Sequence, residues 1–137
     1  MALVIDASVA LGWIARTQAT ALTDAALTAV AREIGCVPGH FAIEVARALR
    51  SQERRNLLPA DLVDTALAQL RALPLREDSA KSLDTVADVV ALARRHALRV
   101  ADAAYLELAL RAALPLATRD TSLAHAAETA GVVLFKT

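Results

Sequence analysis

The sequence predicts an α/β fold: a three-layer α/β/α sandwich on a five-stranded parallel sheet. Short runs that are apolar at consecutive positions alternate with helical stretches along the chain. Runs of that kind are buried on both faces, as strands of a parallel sheet covered by helices must be. Hydrophobic residues are 56% and charged residues 22% of 137. That balance suits a packed core rather than disorder, and the length suits a single domain over residues 1–137.

The strands are read as Ala2–Ile5, Cys36–Val37, Leu73–Leu75, Pro115–Thr118 and Val132–Phe135. Between them lie the helices. Ser8 can cap a first short helix through Ile14. Residues 20–34 carry an apolar stripe of Leu22, Ala26, Leu27 and Val30, with Gly35 as the stop. Pro38-Gly39 precedes a helix reaching about Arg54, and Pro59-Ala60-Asp61 starts another through Leu73. Ser79 begins a helix bearing Leu83, Val86, Val90 and Ala93. Residues 102–114 and 121–130 complete the set, the last ended by Gly131. The helix that Asp102 opens is apolar almost all round, with only Glu107 and Arg111 plainly polar. Such a helix is deeply buried, within the chain or against another subunit.

Bulk properties exclude several classes. Fifteen basic and 15 acidic residues give zero formal charge, so only a local cluster could attract nucleic acid. The single cysteine, Cys36, rules out an intramolecular disulfide and a thiolate zinc site. Residues 1–6 lack a signal peptide's basic start and long apolar run, and no run reaches the length of a membrane span. A cytoplasmic protein with no membrane partner is expected. Aromatic residues are only 3%, so small side chains fill the core and association with a partner could add stability.

Four acids stand out: Asp6, Glu44, Asp102 and Asp120. Asp6 and Asp120 each follow an apolar run, Asp102 opens a helix, and Glu44 lies inside one. Acids at strand-to-helix transitions of a parallel sheet share one edge. Carboxylates that converge repel one another, and a hard divalent cation relieves the repulsion. Each acid also has a plainer reading. Asp6, Asp102 and Asp120 could be helix caps, although Ser8 competes for the first role and Thr121 or Ser122 for the last. Glu44 could be a surface charge or an arginine partner at helical spacing. Arg47, Arg50, Arg54 and Arg55 form the densest basic group. They read as a solvated face, or as a guide for a phosphodiester backbone.

Rival chemistry finds little support. His40, His96 and His125 have no HExxH spacing and read as surface residues. Neither GxxxxGK[ST] nor GxGxxG occurs. A haloacid-dehalogenase-like phosphatase would use Asp6 as nucleophile and would want a second Asp nearby, where Ser8 stands.

Four segments resemble the PIN-domain ribonucleases, specifically VapC-type toxins of bacterial toxin–antitoxin pairs. They are residues 4–8 (Val-Ile-Asp-Ala-Ser), residues 37–38 followed by 41–46 around Glu44, residues 102–109, and residues 116–120 (Leu-Ala-Thr-Arg-Asp). The resemblance implies that Asp6, Glu44, Asp102 and Asp120 form the family's acidic cluster for Mg2+ or Mn2+. It implies that Ser8 and Thr118 are the polar positions beside the metal. The expected activity is endoribonuclease cleavage of RNA by a metal-activated water. The expected partners are a second copy of the chain and a cognate VapB-type antitoxin, through which operator DNA is reached. Where the family often has Asn, this chain has Arg47, which could pair with Glu44 or contact phosphate. A catalytically weak PIN-like RNA-binding module is the alternative, with Arg47 neutralising the acids.

Overall fold

The protein is described by a computed structural model covering residues 2–137. Strand β1 is Leu3–Ile5, β2 is Gly35–Val37, β3 is Leu75–Glu77 and β4 is Leu116–Ala117. They form one parallel sheet in the order β3-β2-β1-β4. Leu3 and Val4 pair with Gly35 and Cys36 on one side. Val4 and Ile5 pair with Leu116 and Ala117 on the other. All of β1, β2 and β4 is buried, which explains their unbroken apolar sequence.

The expected fifth strand does not form. Residues 132–135 touch the sheet through one isolated bridge, Leu134 to Leu116. Leu116 N–H donates to Val133 O at 2.9 Å and Phe135 N–H to Leu116 O at 2.9 Å. Val133 is 70% exposed, so the segment lacks the two-sided burial that holds β1 and β4. The sheet is therefore four-stranded among the described residues. The third strand is also shifted. Leu73 is the C-terminal cap of the preceding helix, and pairing of Gly35 with Leu75 sets the strand at Leu75–Glu77. Its Arg76 and Glu77 are exposed, as suits a charged edge strand.

Among the described residues, seven α-helices flank the sheet: α1 (Ala7–Ile14), α2 (Ala21–Arg32), α3 (Phe41–Arg54), α4 (Ala60–Ala72), α5 (Ser82–His96), α6 (Val100–Ala112) and α7 (Thr121–Thr129). Helix α1 packs on α2, α3 and α4, while α6 packs on α5, α7 and β1. The α1–α2 approach is close because Gly12 has no side chain: a Cβ there would lie 2.5 Å from Thr23 Cγ2. Trp13 Nε1 donates to Thr23 O at 2.6 Å across the same contact. Thr20 and Thr23 cap α2 reciprocally, each hydroxyl accepting from the other's backbone N–H.

Three helix starts depart from expectation. Helix α5 begins at Ser82, not Ser79, because the Asp78 carboxylate accepts from Ala80 N–H and holds residues 78–80 in a turn. Helix α6 begins at Val100, so Asp102 lies in its first turn and Arg99 holds the cap position. Ser8 lies inside α1, whose cap position belongs to Asp6. Gly35, expected as a stop for α2, is the first residue of β2.

Helix α6 is buried along residues 102, 103 and 105–109, as its apolar circumference requires. Its polar pair is satisfied internally. Arg111 bonds Glu107 at 2.7 and 3.0 Å and reaches Asp78 at the end of β3.

Candidate active site

The sheet order creates a switch point. The chain moves outward from β1 to β2 and β3, then returns to the other side of β1 as β4. The carboxyl ends of β1 and β4 therefore open a crevice, the usual ligand position in open α/β sheets. Asp6 leaves β1 into that crevice, and Thr118 leaves β4 opposite it.

Asp6 is 5% exposed and fills the cap position of α1 through its backbone alone: Val9 N–H donates to Asp6 O at 3.0 Å. Its carboxylate serves a different network. Ser8 Oγ donates to Asp6 Oδ2 at 2.8 Å, and Thr118 Oγ1 donates to the same oxygen at 2.6 Å. Both hydroxyls are themselves held. Arg119 N–H donates to Ser8 Oγ at 3.1 Å, and Asp120 N–H to Thr118 Oγ1 at 3.0 Å. Burial pushes the Asp6 carboxyl above its usual range. The two hydroxyls act against that, and the charges of Glu44 and Asp102 add to it.

Asp102 is 8% exposed in the first turn of α6. Its Oδ2 accepts from Arg99 Nε at 3.2 Å. Burial raises its pKa, Arg99 opposes the rise, and Asp120 and Glu44 add to it, leaving a net upward shift. Asp120 caps α7, its Oδ1 accepting from Leu123 N–H at 3.0 Å. Thus the expected competition from Thr121 or Ser122 is resolved in favour of Asp120.

Glu44 projects from α3 into surroundings that its helical position does not reveal. Tyr105 on α6 donates its hydroxyl to Glu44 Oε1 at 2.5 Å and accepts from Ala7 N–H at 3.3 Å. His40 Nε2 stands 3.4 Å from Glu44 Oε1 and 3.0 Å from Ala101 O. The rings of His40 and Tyr105 lie 5.0 Å apart. Burial alone would push the Glu44 carboxyl up. The bonds from His40 and Tyr105 outweigh it, with the charges of His40 and Arg47, so the net shift is down. His40 is raised, chiefly by its bond to Glu44. His40 is thus a partner of the cluster rather than a plain surface residue.

The structure brings the four acids into one electrostatic neighbourhood. Asp6 feels Glu44 and Asp102, and Asp102 feels Asp120 and Glu44. Among the described residues, no group of three or more His, Cys, Asp and Glu side chains is drawn together closely enough to hold an ion as they stand. The donor set nevertheless suits one. Each carboxylate commits one oxygen to the protein: Asp6 Oδ2, Glu44 Oε1, Asp102 Oδ2 and Asp120 Oδ1. The second oxygen of each accepts no hydrogen bond among the described residues, and no buried side-chain polar atom there lacks a partner. Those second oxygens therefore meet solvent. Carboxylate oxygens are the donors a hard cation prefers, and these four acids could share one only by drawing closer than they stand.

Arg47 is exposed on α3 and lines a cavity of about 360 Å3 with His40, Glu44 and Ile43. Among the described residues it forms no ion pair with Glu44. The other arginines of its group lie farther off. Arg50 is engaged by Glu53 at 2.7 Å, and Arg54 is about 15 Å along the helix from Glu44. Tyr105, His40 and Arg99 are site residues that sequence reasoning misses. The signal available for Tyr105 and Arg99 is their spacing: each is three residues from Asp102, on α6 or its cap.

Comparison with known proteins agrees in fold and sequence. The family model of the PIN domain matches residues 3–129. Ribonuclease VapC3 of Mycobacterium tuberculosis, in strains H37Rv and CDC 1551, is 38% identical over 123 residues, spanning 90% of this chain and 85% of that protein. The crystal structure of VapBC2 from Rickettsia felis, bound to a DNA fragment from their promoter, superposes with a TM-score of 0.69 at 11% identity, covering 98% of both chains. That of FitAcB from Neisseria gonorrhoeae gives 0.66 at 19% identity, covering 99% of this chain and 97% of that one.

Proposed function

This chain belongs to the PIN-domain family, and from that premise and its likeness to ribonuclease VapC3 we propose that it is a VapC-type ribonuclease toxin of a toxin–antitoxin system whose carboxylates cleave RNA. Asp6 and Asp102 are the principal ligands of a divalent cation, Mg2+ or Mn2+. Glu44 and Asp120 complete the set directly or through water. The observation that carries this reading is that each of the four acids keeps one oxygen bonded to the protein and turns the other outward. When bound, the cation supplies charge stabilisation at the phosphorus centre and a lowered pKa for the attacking water.

The chain's own residues fix the rest. Ser8 and Thr118 are the polar positions that the resemblance places beside the metal. Their hydroxyls are committed to Asp6 Oδ2, so their work is to aim that carboxylate. Tyr105 does the same for Glu44. Arg47, free of an ion pair with Glu44 among the described residues, offers its charge to the RNA backbone from the rim. The weak-binding alternative has Arg47 neutralising the acids, whereas among the described residues Glu44 is held by His40 and Tyr105 and forms no ion pair with Arg47.

Residues 1–137 act as one domain, in the cytoplasm. Among the described residues no helix is long and apolar enough to cross a membrane. A VapB-type antitoxin is the partner, reaching promoter DNA on the toxin's behalf, and a second copy of the chain completes a homodimer. The test is RNA cleavage by purified protein freed of any partner. Cleavage should vanish in EDTA, return with Mg2+ or Mn2+, and be absent from Asp6→Asn. Activity that survives both EDTA and Asp6→Asn overturns the proposal.

A further inference from the structure

Resting on the ribonuclease reading, we propose that Arg99 is a substrate-binding residue: Asp102 docks one edge of its guanidinium, and its terminal amino groups take a non-bridging oxygen of the RNA backbone beside the acidic cluster. A site built from four acids repels a polyanion, so some cation must offset that repulsion at close range. Arg99 is placed to do so. It holds the cap position of α6, three residues before Asp102. Its Nε donates to Asp102 Oδ2 at 3.2 Å, and that is the only bond its side chain makes among the described residues. The side chain is 81% exposed, against 12% for the Asp102 side chain that anchors it. The unused edge of the fork therefore faces solvent next to the acids.

Its electrostatic surroundings agree with that placement. Besides Asp102, the charges of Asp120 and Glu44 also act on Arg99 and favour its charged form. Other arginines near the site are less suited. Arg119 gives its terminal nitrogens to Gln18, at 2.6 and 3.3 Å. Arg47 acts on Glu44 through its charge and, among the described residues, is not docked on an acid. A planar guanidinium held along one edge retains the paired N–H groups that match a phosphate's oxygens. Its hold on Asp102 is a solvent-facing pair, weak enough to adjust when substrate arrives.

The experiment separates this role from a mere surface ion pair. Binding of a fluorescein-labelled single-stranded RNA is followed by anisotropy in EDTA, where no cleavage is expected, over a range of salt. Arg99→Gln should weaken binding about ten-fold at low salt. It should also flatten the slope of log K against log salt by about 0.7, one phosphate contact for a single strand. Arg99→Lys keeps the charge and should restore the slope while leaving affinity below wild type. Calorimetry with Mn2+ and no RNA should move the other way, with Arg99→Gln binding the ion at least as tightly because a competitor for Asp102 is gone. Unchanged slope and affinity in Arg99→Gln overturn the inference even if Asp6→Asn abolishes cleavage, an outcome that leaves the ribonuclease reading standing. Wild-type protein that binds no RNA at any salt overturns both.

Discussion

Tyr105 donates its hydroxyl to Glu44 Oε1 at 2.5 Å, joining the centre of α6 to the first turn of α3. The phenol oxygen also accepts from Ala7 N–H, directly after Asp6. One side chain thus ties together three elements that carry acids. Tyr105→Phe keeps the ring packed near His40 but removes both bonds. Stability should fall by about 1–3 kcal/mol, since Ala7 N–H loses its acceptor in a buried setting. Turnover should fall about 10–100-fold, as when other positioning groups of a metal site are removed. Melting and steady-state cleavage measure the two effects, and a variant with wild-type kcat counts against a positioning role.

Ionised Asp6 is expected to cost stability when no cation is present. Its folded-state pKa lies above the ordinary 3.8 because burial penalises the charged form. Its contribution to stability is therefore complete below pH 3.8 and lost as pH rises through the folded value. At neutral pH the ionised group is a net cost. Asp6→Asn should melt higher than wild type in EDTA. Adding Mg2+ should then raise the wild-type midpoint more than the variant's, because only the intact site gains binding energy. A lower melting point for Asp6→Asn in EDTA would show that the ionised carboxylate stabilises the fold, the opposite of this sign.

His40 gives a pH dependence of its own. Its pKa is raised above 6.5, first by the bond to Glu44. The stability it contributes is complete below pH 6.5 and disappears as pH rises through the folded value. The partner works from the other side. Glu44 is lowered from 4.5, so its contribution is present above that pH and lost as pH falls through the folded value. His40→Gln should flatten the decline in melting temperature above pH 6.5, and an identical pH profile in the variant would remove His40 from this role.

Gly12→Ala tests the α1–α2 contact. The new Cβ would fall 2.5 Å from Thr23 Cγ2 and 2.7 Å from Thr23 Cβ, too close for both helices to remain in place. The penalty should be about 1–3 kcal/mol, as for other overpacked cores. Urea unfolding measures it. Mn2+ affinity should be preserved, since neither residue touches an acid of the cluster.

The acids themselves are legible in the sequence because their positions are local facts. Asp6 and Asp120 follow apolar runs, and a parallel sheet sends such positions to one edge. Helix α6 is legible for the same kind of reason: its circumference carries almost no polarity. Strand β3 is not, because Arg76 and Glu77 pair through their backbones while their side chains give no apolar signal. The segment 132–135 misleads in the opposite sense. Its apolar side chains suggest a strand, but a single bridge is all the pairing it makes.

The parallel α/β class, the burial of α6 and the placement of Asp6 and Asp120 just past β1 and β4 thus follow from the order of residues. Periodicity and strand-to-helix succession act between neighbours in the chain, so they can be read there. How each acid is held belongs to the packed molecule alone. Thr118 reaches Asp6 across 112 positions and Tyr105 reaches Glu44 across 61, and no local pattern encodes such pairs. A hydrogen bond depends on where two atoms come to rest, and that position is fixed by the packing of helices on the sheet rather than by the identity of either residue.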